Sequence, residues 1–282
     1  MTQVVYLNGE WHAATAAKIS VNDRGFLFAD GIYEVIPVYQ QRPFLLDLHL
    51  QRLQRSAAAI SLSLAPLETY QVLITELLQR NRVMDGLVYL QLTFGIDEHR
   101  QHLPSQPLTP TVYASVSPFN ARWEIPTPFT VTLLDDIRWL RCDIKSTSLL
   151  GNIMLKRACQ QRQADEPLLH RDGRITEGAS CNYFFVRDGQ LYTPPADHLI
   201  LAGITRTWVI HLAKQLQIEV HETPLFTHEL TAMDEVFLTS SSREIQPVGQ
   251  IDDIMIGQGQ CGPITAQLIG AYHTSKRHLI QE

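Results

Sequence analysis

The chain has 282 residues, of which 45% are hydrophobic and 18% charged, and its formal net charge is −6. That length buries a sizeable core and fits one large or two moderate domains. The acidic balance, with Lys and Arg scattered and only Arg80 and Arg82 as a local cluster, excludes a phosphate-backbone stripe, so no nucleic-acid partner is expected. The four cysteines (Cys142, Cys159, Cys181, Cys261) form no CxxC pair, against both a zinc framework and a disulfide scaffold.

The opening MTQVVYLNGEW has neither the basic nor the apolar region of a secretory leader. No apolar run approaches the roughly 18 residues of a membrane-spanning helix. The expectation is a cytoplasmic protein with no membrane partner.

Val4–Leu7 reads as a strand entering a tight turn at Asn8-Gly9. Gly31–Tyr39, rich in β-branched and aromatic residues, reads as a buried strand. An amphipathic helix follows, with Asp47 as expected cap and Leu50, Leu53, Ala57 and Ile60 at helical spacing. A second carries Tyr70, Leu73, Ile74, Leu77 and Leu78, and strands return at Leu87–Phe94 and Thr111–Val116. SPFNARWEIPTP, residues 117–128, holds three prolines and is the expected linker. Beyond it come a strand at Phe129–Leu134, a helix at Leu149–Gln163, hairpin turns at Asp172-Gly173 and Asp188-Gly189, and a helix from near Thr205. Strands and helices in mixed order predict two α+β domains: a smaller one over residues 1–118, a linker over 119–128, and a larger one over 129–282.

Several residues stand out chemically. Lys145 lies in IRWLRCDIKS, near Ile144, Leu149 and Leu150. Apolar surroundings penalise a charged lysine, and a neutral amine attacks an aldehyde to form an imine. Taken singly, a lysine is more often a solvated surface group. Glu177 lies in TEGASCN, whose small residues would let the backbone approach a flat ring, and its carboxylate could pair with a protonated ring nitrogen. Gly203-Ile204-Thr205-Arg206 immediately precedes a predicted helix, where free N–H groups and a hydroxyl make a phosphate site. Thr239-Ser240-Ser241-Ser242 offers more hydroxyls, and Arg52 alone reads as a solvated helix-face arginine. Gly257, Gly259 and Gly262 spell GxGxxG, but too little chain follows for a dinucleotide fold, so a glycine-rich turn is expected. The eleven histidines form no HExxH pair, and no metal is expected.

Together the segments NDRGFLFADGIYEV, IRWLRCDIKSTSLLGN, TEGASCN, ILAGITR and FLTSSSREI resemble fold-type IV pyridoxal-phosphate enzymes, most nearly the D-amino-acid aminotransferases, over nearly the whole chain. The resemblance implies an α+β fold of two domains with pyridoxal 5′-phosphate at the domain interface, in a homodimer. It implies Lys145 as the Schiff-base lysine and Glu177 as partner of the ring nitrogen. Arg52, Ile204, Thr205 and Ser241 would hold the phosphate, with Leu201 against the ring, Ser180 close by and Ser240 also at the cofactor. Tyr33, Arg100 and His102 would hold the substrate α-carboxylate, for which an arginine fork is a natural partner. The implied partners are amino acids and 2-oxo acids. The activity would be transamination of D-amino acids such as D-alanine, with branched-chain L-amino-acid or amine transamination, or aminodeoxychorismate lysis, as alternatives on the same fold.

Overall fold

The computed structural model describes residues 3–104 and 106–281. The chain divides into two compact units, one running to Ala121 and including Ile144–Ser148, the other comprising Arg122–Asp143 and Leu149–Gln281. The short insertion of residues 144–148 into the first unit is not visible in the linear pattern of the sequence.

In the first unit, β1 (Val4–Leu7), β2 (Glu10–Ala13), β3 (Gly31–Tyr39), β4 (Arg42–Pro43), β5 (Gly86–Thr93) and β6 (Thr111–Pro118) form a six-stranded sheet in the order β2-β1-β6-β5-β3-β4. A five-residue helix, α1 (Arg24–Phe28), precedes β3, and α2 (Leu46–Ala59) and α3 (Leu67–Asn81) follow β4. The two longer helices cover the sheet because Leu50, Leu53 and Ala57 of α2 and Tyr70, Leu73, Ile74, Leu77 and Leu78 of α3 fall on one face each. They pack with Ile32, Ile36, Val88 and Leu90, and each fully buried aliphatic side chain is worth about 1.5–3 kcal/mol. The expected cap at Asp47 is not found. The cap position is Leu45, in left-handed backbone at φ 55°. Asp47 lies in the first turn and accepts from Gln71 Nε2 of α3 at 3.1 Å, so its carboxylate ties the two helices together.

In the second unit, β7 (Phe129–Asp135), β8 (Glu166–Arg171), β9 (Arg174–Ile175), β10 (Asn182–Arg187), β11 (Gln190–Thr193), β12 (Val220–Glu222), β13 (Glu235–Ser240), β14 (Glu244–Ile251) and β15 (Ile254–Met255) form a nine-stranded sheet. Its order is β12-β11-β10-β13-β14-β7-β8-β9, with β15 beside β14. The strand β7 runs parallel to both neighbours, whereas β13 runs antiparallel to β10 and to β14. Both expected hairpins are present, pairing Arg171 with Arg174 and Arg187 with Gln190. The helices are α4 (Leu150–Gln161), α5 (Ile204–Gln215) and α6 (Pro263–Gln281).

The helix α6 is absent from the sequence-based expectations. Its buried positions Thr265, Leu268, Ile269, Tyr272, His273 and Lys276 recur at helical spacing, but half of them are polar, which masks the apolar stripe. The GxGxxG segment is a turn, with Gly257 and Gly259 at φ 53° and 72°. A Cβ at Gly262 would lie 2.1 Å from the Glu235 carboxyl carbon, because Glu235 closes over the start of α6. It accepts from Ile264 N at 3.0 Å and Thr265 N at 2.7 Å.

Candidate active site

In the first unit, Lys145 is held against the start of β3. Its carbonyl accepts from Tyr33 N at 3.0 Å, Ser146 bridges Ile32, and Thr147 N donates to Gly31 O at 3.0 Å. Ile144 is buried in the core beneath the six-stranded sheet. Extended backbone alternates its side chains, so with Ile144 inward Lys145 faces the other way. There its Nζ lies 4.3 Å from the centroid of the Tyr33 ring. The Tyr33 ring in turn lies 5.6 Å from that of Tyr89, whose hydroxyl burial pushes up to about 12.

Arg52 is not a solvated arginine. It is buried, and its Nε and Nη2 grip both oxygens of Glu34 at 2.8 and 2.7 Å. His49 Nδ1 lies 2.8 Å from the same carboxylate. His49, Arg52 and Ser56 stand at i, i+3 and i+7 on α2, a polar stripe beside the apolar one. Burial alone would raise Glu34, but the Arg52 charge and hydrogen bonds outweigh it and hold the carboxyl far below the usual range. Burial pushes His49 down, against the opposing pull of Glu34. Ser56 accepts from Lys145 N at 3.2 Å, so one helix face arranges both the arginine and the lysine segment.

Arg100 and His102 are both exposed, and each lies near the ring of Phe28. The Arg100 guanidinium carbon lies 5.1 Å from the Phe28 ring centroid, and the His102 ring 5.8 Å from it.

In the second unit, Glu177 is buried near the start of the short loop between β9 and β10. It accepts from three donors: Arg138 Nη1 reaches Oε1 at 2.5 Å, and Asn182 Nδ2 and Leu201 N reach Oε2 at 2.9 and 3.1 Å. Arg138 is committed mainly elsewhere. Its Nε and Nη2 both engage Asp136, at 2.9 Å each. Burial is therefore the dominant influence on Glu177 and raises it to about 7, against the downward pull of Arg138. Asn182 also donates to Leu201 O at 2.8 Å, locking the Leu201 backbone to the carboxylate. A Cβ on Gly203 would lie 2.1 Å from Asn182 Oδ1, so glycine is required where α5 begins.

The helices α5 and α6 start differently. Glu235 occupies the N-terminus of α6, whereas Gly203 provides no side-chain cap for α5. The N–H groups of Ile204 and Thr205 thus open a helix whose positive end favours an anion. Ser240 and Ser241 are partly buried at the end of β13, where Ser240 Oγ accepts from Arg243 N at 3.2 Å. Thr239 lies directly opposite Asn182 in the β10–β13 pair, which puts both side chains on one sheet face. Its Oγ1 is buried without a hydrogen-bond partner among the described residues. Ser180 is exposed at the tip of the Glu177 loop. An unsatisfied buried hydroxyl, an uncapped helix start and a buried acid that exchanges its proton near neutrality fit a phosphorylated pyridine.

Six further polar residues shape these surroundings without standing out in the sequence: Glu34, His49, Ser56, Asp136, Arg138 and Asn182. The available signals were a glutamate inside an otherwise apolar strand and the three-residue polar stripe on α2. Asp136 and Arg138, two apart, gave no such signal.

Comparison with known proteins agrees in class. The amino-transferase class IV family model matches residues 31–251. The chain is 42% identical over 257 residues to a D-alanine aminotransferase of Listeria innocua, covering 89% of each. It is 36% identical over 266 residues to one from Staphylococcus haemolyticus, covering 94% of each. A branched-chain amino acid aminotransferase from Escherichia coli superposes with a TM-score of 0.89 at 26% identity, covering 97% of this chain and 94% of that one. Class IV enzymes use pyridoxal 5′-phosphate, and the α+β fold seen here is the fold-type IV arrangement of secondary structure. The chain belongs to the class IV aminotransferase family.

Proposed function

We propose that this enzyme transfers the amino group of D-amino acids such as D-alanine to a 2-oxo acid such as 2-oxoglutarate. The observation that carries the reading is a contrast in likeness. Identity to D-alanine aminotransferases is 36% and 42% over nearly the full chain, but 26% to the branched-chain enzyme that shares its fold.

When bound, pyridoxal 5′-phosphate supplies an aldehyde for the amino group and a ring that withdraws electrons from the adjacent carbon. Lys145 Nζ would hold the cofactor through its aldehyde and would be the base for the α-proton of the amino acid. Glu177 holds a proton at the ring nitrogen, a task suited to an acid that burial has raised to about 7. Arg52, the Ile204 and Thr205 N–H groups, Ser240 and Ser241 would bind the phosphate. Leu201, its backbone tied to Glu177, would pack against the ring, and Ser180 would lie beside the cofactor. Tyr33, Arg100 and His102 hold the α-carboxylate. The reading places the enzyme in the cytoplasm as a homodimer, a state that sedimentation of the purified protein measures.

The branched-chain reading is the second candidate, since solved branched-chain enzymes share the fold closely. Incubation with D-alanine and 2-oxoglutarate separates the two. Pyruvate and D-glutamate formed together, with no turnover of L-leucine, is the expected outcome. Turnover of L-leucine but not D-alanine would move the activity to the branched-chain class. Pyruvate released catalytically from aminodeoxychorismate, without any amino acceptor, would indicate the lyase reaction instead.

A further inference from the structure

We propose that Arg24 is a positioning residue for the substrate-carboxylate trap: it fixes the backbone of Gln101 and His102, and thereby the placement of Arg100 and His102. The inference rests on the reading of Arg100 and His102 as that trap.

Arg24 opens α1 and is only 4% exposed, although it carries a permanent charge. Burying a guanidinium is costly unless each donor is used. Here Nη1 donates to Gln101 O at 2.8 Å and Nη2 to His102 O at 2.7 Å. Nε donates to Asp30 at 2.8 Å, and the buried Asp97 carboxylate lies 4.0 Å from Nη1. The two terminal nitrogens, which could have gripped a carboxylate side by side, are spent on consecutive carbonyls of a surface loop. That geometry fixes peptide planes and not merely a chain position.

The anchor is itself held. Asp23 caps α1 by accepting from Gly25 N at 2.8 Å and takes the Thr93 hydroxyl at 2.8 Å, while Arg24 N donates to Gly95 O at 2.8 Å. A Cβ at Gly95 would lie 1.9 Å from Thr109 O, so the return of the loop is also fixed. One turn after Arg24, Phe28 receives three groups on its ring. The guanidinium carbon of Arg24 lies 5.0 Å from the centroid, that of Arg100 5.1 Å, and the His102 ring 5.8 Å. The backbone of the loop is set by Arg24 and its two functional side chains lean on Phe28. Lysine cannot replace this fork, because one ammonium cannot reach two carbonyls and Asp30 in the same planar geometry.

The test uses the holoenzyme in four forms: the parent, Arg24→Lys, the double variant Arg100→Ala/His102→Ala, and the triple combination. The readouts are kcat and KM for D-alanine, and the calorimetric Kd of D-lactate, which has the carboxylate but no amino group. Arg24→Lys is expected to raise KM and Kd about tenfold with kcat within about twofold, and to add nothing further in the double-variant background. An equal effect in both backgrounds, or an equal fall in kcat, would overturn the positioning role. No effect of Arg24→Lys, while the double variant raises KM, would overturn it and leave the trap intact. If the double variant itself changes neither KM nor Kd, the trap reading fails first and takes this one with it. Phe28→Leu removes the ring without unpairing a buried charge and carries the same test if Arg24→Lys does not fold.

Discussion

Glu34 and Glu177 are both buried glutamates that meet an arginine at hydrogen-bonding distance, yet their acidities move in opposite directions. Glu34 is held far below the ordinary carboxylate range, whereas Glu177 is raised to about 7. Desolvation is the largest influence on both. The difference lies in how each guanidinium divides its donors. Arg52 gives two nitrogens to Glu34, and His49 adds a third partner. Arg138 gives two nitrogens to Asp136 and a single one to Glu177. An arginine beside a buried acid therefore does not by itself set the protonation of that acid. One glutamate is a permanent anion that orients an arginine; the other keeps a proton that moves near neutral pH.

The comparison can be broken most forcefully at Glu34. Replacing it with alanine leaves Arg52 buried without its carboxylate and is expected to cost about 3–5 kcal/mol in denaturant unfolding of the cofactor-free protein. A loss within the ordinary surface range would mean that Arg52 finds water or another partner. Glu177→Gln is expected to lower kcat/KM about a hundredfold, roughly 2.7 kcal/mol, while the protein folds and retains its cofactor. Unchanged kcat/KM would remove Glu177 from the ring-nitrogen role.

The pH dependence of stability separates the two acids by sign. The folded value of Glu34 lies below its unfolded one, so its contribution is complete above the unfolded pKa and is lost as pH falls toward the folded value. The folded value of Glu177 lies above its ordinary 4.5, so cofactor-free protein should lose stability as pH rises from about 4.5 to about 7. Glu177→Gln should flatten that window, and thermal melts across it provide the check. Asp136→Asn should release Arg138 toward Glu177 and lower its pKa, moving the corresponding limb of the pH–rate profile to lower pH. An unmoved limb would contradict this division of donors. The smallest effect is expected at Asn182→Ala, about 1 kcal/mol of stability from two lost hydrogen bonds that are partly replaced by water.

The difference between the two glutamates also marks what could be read from the sequence. The strand Gly31–Tyr39, the helix faces of α2 and α3 and the hairpin turns were legible, because each rests on local periodicity or turn chemistry. Lys145 and Glu177 stand out in the sequence only through the resemblance of their motifs. Their electrostatic settings were not. Glu177 meets Arg138 across 39 positions and Asp136 intercepts that arginine by local geometry, relations that no linear pattern encodes. Arg52 was misread in isolation as a solvated residue, because its partner Glu34 lies on a strand 18 positions earlier. The helix α6 was missed for a related reason: Lys276 and His273 are buried within it, and an apolar period interrupted by such residues does not announce a helix.

The most direct test of the central claim is an absorbance spectrum of the purified holoenzyme, recorded before and after adding D-alanine and, separately, L-leucine. The cofactor band near the visible edge is expected in the parent and should bleach with D-alanine alone. Bleaching with L-leucine and not with D-alanine, or a band that neither amino acid changes, would contradict D-amino-acid transamination by this chain.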